Sequence, residues 1–372
     1  MSASGLSGEE TGPLVTVILP THDHASTVDL AGQSVLGQSV RSLELVVIGD
    51  GATPEVRAAV VLLLSDKRVR FIDRPKTPSR AELVRHEVLA EATSPYVCYL
   101  GDDDIMLPDH VAATLERLKN VDFTHPLPVF IDRDGTLKAH VTDLADPRCR
   151  LWHQRPARNA VSLTGVGHRL DAYLRLPHGW QEAPPGRSSD HYMWQQWFAN
   201  AEFRYATGSR LTVLKFEASV RTDMTAPQRR AEILAWLARS RRPGFDAWLA
   251  DQAADGIRRA AIDLRLASDA QAEQLRTAEA NAIEQAAEAS ALIRAMQATR
   301  TWRTATRMWR FRDRLVRLPP MRWFATISRL GIPPHEPAWP GARTVDPAAG
   351  SSQTIGGPRR RRHRQRDGGH GW

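Results

Sequence analysis

The chain is expected to fold as an α/β protein built on a doubly wound, mostly parallel sheet. Three observations predict it. Short apolar, β-branched runs alternate with helix-patterned segments from residue 14 to residue 119. Strand-to-helix alternation of this kind forms parallel strands joined by crossover helices. Three of the runs end in polar, chemistry-bearing residues, namely Pro20-Thr21-His22-Asp23, Gly49-Asp50-Gly51 and Asp102-Asp103-Asp104. Ligands of such sheets bind outside the carboxyl ends of the strands, which is where these residues fall.

The elements follow in order. Residues 14–20 form a β-branched run stopped by Pro20, a buried strand. Residues 26–40 carry Val28, Ala31, Val35 and Leu36 at helical spacing. Residues 44–51 give a second strand ending in a turn. Residues 54–65 give a second helix, with Pro54 suited to its first turn. A strand at 69–72, a helix at 79–92, a strand at 96–100 and a helix at 108–119 complete the alternation. From 121 to 220 the pattern loosens into short strands (127–132, 203–206 and 211–216) and a helix near 190–200. From 226 to about 315 it reads as helix.

The chain has 372 residues, 42% of them hydrophobic, enough for a sizeable core with extensions. No apolar run is long enough to span a bilayer, and the N-terminus lacks the basic and apolar regions of a secretory signal. Cys98 and Cys149 show no metal or redox spacing, which fits a reducing cytoplasm. The net charge of +8 is concentrated: residues 301–372 hold 15 arginines and 4 acids. A nucleic-acid protein usually carries its basic surface on the folded domain, and no nucleic-acid motif is present, so no nucleic-acid partner is expected.

Three consecutive aspartates repel one another, and a divalent cation relieves that repulsion. Hard cations such as Mg²⁺ or Mn²⁺ prefer carboxylate oxygens together with those of a bound diphosphate. The bland alternative is an acidic turn capping the helix that follows Pro108. His22 and His24, beside the first strand end, read first as surface histidines.

The segments Val15–Asp23 (VTVILPTHD), Gln33–Ser39 (QSVLGQS), Leu45–Thr53 (LVVIGDGAT), Val84–His86 (VRH) and Tyr99–Asp104 (YLGDDD) occur in that order. Together they resemble the family 2 glycosyltransferases of the GT-A fold over about residues 13–220. That family shows a strand ending P-T-Y-N, a helix with S-V-L-x-Q-S/T, a strand ending D-D-G-S, an A-R-N segment and a D-x-D-D motif. The resemblance implies a mixed GT-A sheet and an inverting transfer from a nucleoside-diphosphate sugar. It places Pro20, Thr21, Asp50, Arg85 and Asp102 around the donor, and Asp103 and Asp104 on a Mg²⁺ or Mn²⁺ ion. The stretch from His178-Gly179-Trp180 to Asp190-His191-Tyr192-Met193-Trp194 is similar to the family's acceptor region. That makes Asp190 the catalytic base, a role that can coexist with capping its helix. Trp180 and Trp194 have aromatic faces that suit the C–H face of a sugar, with core packing as the alternative for each, and His191 is an acceptor contact or a surface histidine. Gly49, Gly101 and His86 depart from the family pattern, which has aspartate, aspartate and asparagine there.

The resulting domain plan has a disordered N-terminus at 1–13 and a catalytic domain at 14–225. Within that domain 14–120 forms the nucleotide-sugar half and 121–225 the acceptor half. A helical region at 226–330 carries weak coiled-coil spacing at Leu275, Ala278, Ala282, Ala289, Leu292 and Met296, a candidate for homo-oligomerisation. A Pro/Gly/Arg-rich tail at 331–372 is expected to be disordered. Arg303, Arg307, Arg310, Arg314 and Arg317 with Trp302, Trp309, Leu315 and Leu318 suggest a basic amphipathic helix. Such a helix suits the inner face of a membrane, where a lipid-linked glycan acceptor would sit; a glycan or protein acceptor is equally compatible. The alternative of another class is a non-catalytic nucleotide- or glycan-binding relative acting as an interaction module.

Overall fold

A computed structural model describes residues 12–127 and 129–316. The expectations for 1–11 and for 317–372, including the tail and the end of the helical region, lie outside the described residues. The strands are β1 (Val15–Thr21), β2 (Leu43–Asp50), β3 (Val69–Arg74), β4 (Tyr96–Tyr99), β5 (Ile105–Met106), β6 (Phe123–His125), β7 (Val129–Ile131), β8 (Leu137–Ala139), β9 (Gly167–Arg169), β10 (Tyr205–Thr207) and β11 (Val213–Leu214). The helices are α1 (Val28–Leu36), α2 (Pro54–Val61), α3 (Glu82–Glu91), α4 (His110–Leu118), α5 (Pro147–His153), α6 (Leu170–Tyr173), α7 (Ser189–Phe198), α8 (Ala226–Ser240), α9 (Phe245–Ala298) and α10 (Arg300–Val316).

The main sheet has the order β10-β6-β9-β4-β1-β2-β3. β1 pairs in parallel with β2 and β4, β2 with β3, and β10 with β6; β9 runs antiparallel between β4 and β6. The fold is thus the expected mixed α/β arrangement with a mostly parallel sheet. Alternation along the central strands divides the core. Val15, Val17, Leu19, Leu45 and Val47 face α1, α2 and α4, while Ile18, Val46, Ile48 and Tyr99 face α3, α6 and α7. α1 is shorter than the 26–40 expected, because Gly37 caps it after one more residue.

The motif in α1 has a structural job. Gln38 is fully buried; its amide donates to the Leu107 carbonyl at 2.8 Å and its carbonyl accepts from the Val111 amide at 2.9 Å. Ser34 Oγ accepts from the Met106 amide at 3.1 Å. Both residues thereby fix the segment leaving the three aspartates.

The chain divides into two units, one ending at Ala280 and one beginning at Asn281. In the first, packing runs across the boundary expected at 225. Ile233 and Trp236 of α8 and Phe245, Leu249 and Ala253 of α9 join a core cluster with Leu30, Ile105, Leu107, Leu137, Leu214 and Phe216. At Gly256, an added Cβ would lie 2.6 Å from the Leu137 carbonyl oxygen. α9 is one continuous helix of 54 residues. No described helix is long and apolar enough to cross a membrane.

Candidate active site

The ends of β1, β2 and β4 converge as expected. Pro20 and Thr21 close β1, and Thr21 Oγ1 is buried with no hydrogen-bond partner among the described residues. Asp50 closes β2 and is buried; its carboxylate accepts from Lys76 Nζ at 2.6 Å and from the Thr77 amide at 2.7 Å. The turn after it needs glycine: Gly51 has φ +67°, and a Cβ there would meet the Lys76 backbone. The departure at Gly49 has a steric cause, since a Cβ would come within 2.9 Å of Asp73 Oδ1 and 3.0 Å of Phe71.

The three aspartates have three different environments. Asp102 accepts from His24 Nδ1 at 2.8 Å. That hydrogen bond, opposed by burial and reinforced by Asp102, Asp103 and Asp23, raises the His24 pKa to about 9, so the imidazole is a cation. Asp103 accepts from Arg229 Nη2 of α8 at 2.7 Å. Burial first, then the charges of Asp104 and Asp102, push its carboxyl up to about 7. His24, Asp102 and Asp103 together offer three ligand atoms within 4.8 Å of one another.

Asp104 is placed otherwise than expected. It is 2% exposed, accepts from the Phe216 amide at 2.7 Å and from Thr164 Oγ1, and lies 4.0 Å from Lys215 Nζ. Its oxygens are engaged in anchoring the strand end, so His24 replaces it in the group that could hold a metal. The departure at Gly101 follows from this, because a Cβ would come within 2.9 Å of Asp104 Oδ2 and 3.1 Å of Thr164 Oγ1. An aspartate there would have to displace the Asp104 carboxylate from its bond to Thr164.

The acceptor-side residues are also repositioned. Trp180 and Trp194 are 1% and 0% exposed, so neither offers an open ring face to a sugar. Trp194 Nε1 donates to the Val161 carbonyl at 3.1 Å, and its ring packs on Tyr99, Phe123 and Trp180. Trp180 Nε1 donates to Tyr99 Oη at 2.9 Å, and its amide to Tyr173 Oη at 3.0 Å. Tyr173 Oη also bonds His86 Nδ1 at 2.8 Å, which gives His86 a structural place. His191 is buried and its Nε2 bonds the His153 carbonyl at 2.7 Å. These indoles and imidazoles are buried because each N–H finds a partner inside.

Arg85 stacks its guanidinium 4.5 Å from the Trp180 ring centroid and donates to the Arg80 carbonyl at 2.7 Å, while its buried Nε has no partner among the described residues. Burial lowers its pKa, against the opposing charges of Glu82, Tyr99 and Asp190. Asp190 stands half-buried in the first turn of α7, where its Oδ1 accepts from the His191 amide at 2.7 Å. It therefore lies within electrostatic reach of Arg85.

Two cations escaped the sequence reading. Burial works against the Lys215 charge, but Asp104, Glu217, Asp103 and Asp190 outweigh it and raise its pKa. Lys215 thus links the aspartate cluster electrostatically to Asp190. It also lines a cavity of about 190 Å³ with His140, Asn159, Ser162, Thr164 and Glu217. Arg229 lies beyond the expected domain boundary, where no motif marked it. It shares a cleft of about 280 Å³ with Asp23, His24, Asp103 and Arg221.

Residues 16–169 match the model of Glycosyl transferase family 2. An uncharacterized glycosyltransferase of Rickettsia felis is 26% identical over 109 residues, which are 29% of this chain and 18% of that protein. Succinoglycan biosynthesis protein ExoO of Rhizobium meliloti is 31% identical over 107 residues, 28% of this chain and 30% of that protein. The chain thus spans less than a third of the length of either relative. Among solved structures, mannosyltransferase PcManGT of Pyrobaculum calidifontis, in complex with GDP-Man and Mn²⁺, aligns at a TM-score of 0.40 and 17% identity, covering 80% of this chain and 84% of that one.

Proposed function

We propose, from the premise that residues 16–169 form a glycosyl transferase family 2 domain, that the protein is an inverting glycosyltransferase using a nucleoside-diphosphate sugar. The observation that carries this reading is the convergence of Asp50, Asp102, Asp103 and the buried Thr21 hydroxyl at the carboxyl edge of one sheet. A hydroxyl group on a glycan, a lipid-linked glycan or a protein is the acceptor, as suits a role in cell-envelope polysaccharide synthesis.

Asp50, at the end of β2, is placed to meet the base of the donor. Pro20, Thr21, Arg85 and Asp102 border the same strand ends. The donor set of His24, Asp102 and Asp103 fits a divalent ion that displaces the His24 ring proton: two carboxylates and one neutral imidazole whose ligand atoms converge. Such an ion, when bound, neutralises charge on the departing diphosphate. Arg229 brings positive charge to the same cleft. Asp190 accepts the acceptor hydroxyl's proton as the oxygen attacks, since an alcohol is a poor nucleophile until a carboxylate takes that proton. Lys215 lies within electrostatic reach of Asp190.

Peripheral contact of the basic C-terminal helix with a membrane and self-association through α9 belong to the same reading, at the inner face of the membrane. Calorimetric titration of the full chain with UDP, GDP and dTDP, with and without Mn²⁺, tests the donor site. Metal-enhanced binding of one diphosphate, lost in Asp103→Ala, supports it. No binding of any nucleotide in either condition refutes it and leaves the non-catalytic interaction module.

A further inference from the structure

Helix α10 has two chemically distinct faces. Arg300, Arg303, Arg307, Arg310 and Arg314 follow one another at spacings of three, four, three and four, which stacks them in a single stripe. At one rotation per 3.6 residues, Trp302, Ala305, Met308 and Trp309 fall on an arc of about 120° outside that stripe, with Arg312 within the arc and Phe311 at the border of the stripe. Part of this surface is open: Met308 is 67%, Trp309 49% and Phe311 65% exposed, while Trp302 and Ala305 are half-buried. Large apolar side chains left at that exposure on an arginine-rich helix call for a partner that is both apolar and anionic.

We propose that α10 is a membrane-docking helix that lies in the plane of a bilayer containing anionic lipid. Met308 and Trp309 enter the acyl boundary with Trp302 on the same side, Phe311 lies at its edge, and Arg312, within this face, extends its guanidinium back to the headgroups. Tryptophan is suited to that depth because its ring is apolar and its N–H remains at the headgroups. The arginine stripe lies alongside, and each guanidinium can reach lipid phosphates bidentately. The distribution of residue types favours lipid over a nucleic acid. A nucleic acid would use the arginine stripe but would leave Met308 and Phe311 uncovered. The helix has 17 residues and carries six arginines, so it rests on a membrane and does not cross it.

The test is cosedimentation of the full chain with vesicles of phosphatidylcholine alone, and of phosphatidylcholine and phosphatidylglycerol in equal parts. Binding is expected to the mixed vesicles only and to weaken with salt. Each arginine contributes about a fivefold increase in partitioning, so the triple change Arg303→Gln, Arg307→Gln, Arg310→Gln should reduce it by about a hundredfold. A second variant, Met308→Ser with Trp309→Ser and Phe311→Ser, should also lose binding while keeping every arginine. Circular dichroism and gel filtration matching the wild type confirm that both variants fold. Equal binding to both vesicle types, no binding, binding unchanged in either variant, or association abolished by nuclease would each overturn the proposal. The inference deepens the peripheral contact proposed above, and because vesicle binding is read without donor or acceptor, its failure is distinguishable from failure of the transferase reading.

Discussion

At the scale of single residues, the three adjacent aspartates divide labour by burial. Asp104 is committed to the Phe216 amide and Thr164 hydroxyl, so Asp104→Ala strands two buried donors. The expected loss is about 3 kcal/mol, read as a lower urea midpoint at constant slope. Asp103 behaves oppositely. Its folded pKa of about 7 lies above the ordinary 3.8, so the folded state binds the proton more tightly than the unfolded chain. Its contribution therefore weakens as pH rises from 3.8 to about 7, and is constant above. Asparagine imitates the protonated form. In chelator-treated protein, Asp103→Asn should gain stability relative to wild type through that window and then hold a constant margin. A margin independent of pH would show that the carboxyl is not destabilised. The sequence announced the cluster but not this division, because burial and the identity of the facing groups come from Phe216, just after β11, and from α8, more than a hundred residues away. The glycine departures at 49 and 101 were legible as departures. Their cause was not, since each is filled by a side chain from elsewhere.

At the scale of elements, the alternation from β1 to α4 could be read because every strand carries a run of apolar residues and every helix an apolar face. β6, β9 and α6 were missed for a physical reason. β9 is three residues long, and its central His168 is fully buried, bonded to Tyr99 Oη at 2.8 Å and stacked on Tyr173. A buried histidine satisfied by a tyrosine has no hydrophobic periodicity to detect. The same network absorbed Trp180 and Trp194, which sequence reasoning placed on the acceptor. The seating of α9 can be tested through one atom. Gly→Ala inside a helix ordinarily stabilises it by about 1 kcal/mol. At Gly256 the new methyl group would press on the Leu137 carbonyl, so Gly256→Ala should instead destabilise the protein by about 1–3 kcal/mol. A gain in thermal midpoint would mean that α9 does not approach β8 this closely in solution.

At the scale of the whole molecule, the question is where the folded domain that carries the candidate site ends. Composition shifts near 226, and a boundary placed there treats everything after it as an appendage. The packing does not respect that shift, because helices with ordinary amphipathic spacing can belong to either side of a boundary. Ile233, Trp236, Phe245 and Leu249 are each at least nine-tenths buried against residues that precede 225. Burying four such side chains contributes about 6–12 kcal/mol as an upper bound. That range overlaps the entire stability of a typical domain, about 5–15 kcal/mol. A chain cut after Val220 or after Thr225 should therefore expose Ile105, Leu107 and Phe216, and should aggregate or lack a cooperative transition. A chain cut after Ala280, the end of the first unit, should unfold with the same midpoint as the full protein. The second cut also removes α10 without touching Arg229, so it separates the two roles assigned to the C-terminal half. Diphosphate binding should survive it, because the cleft of His24, Asp103 and Arg229 is complete by residue 229, whereas vesicle binding should vanish. A cooperative, soluble protein ending at 225 would mean that α8 and α9 merely rest on the domain and that Arg229 is dispensable to its fold.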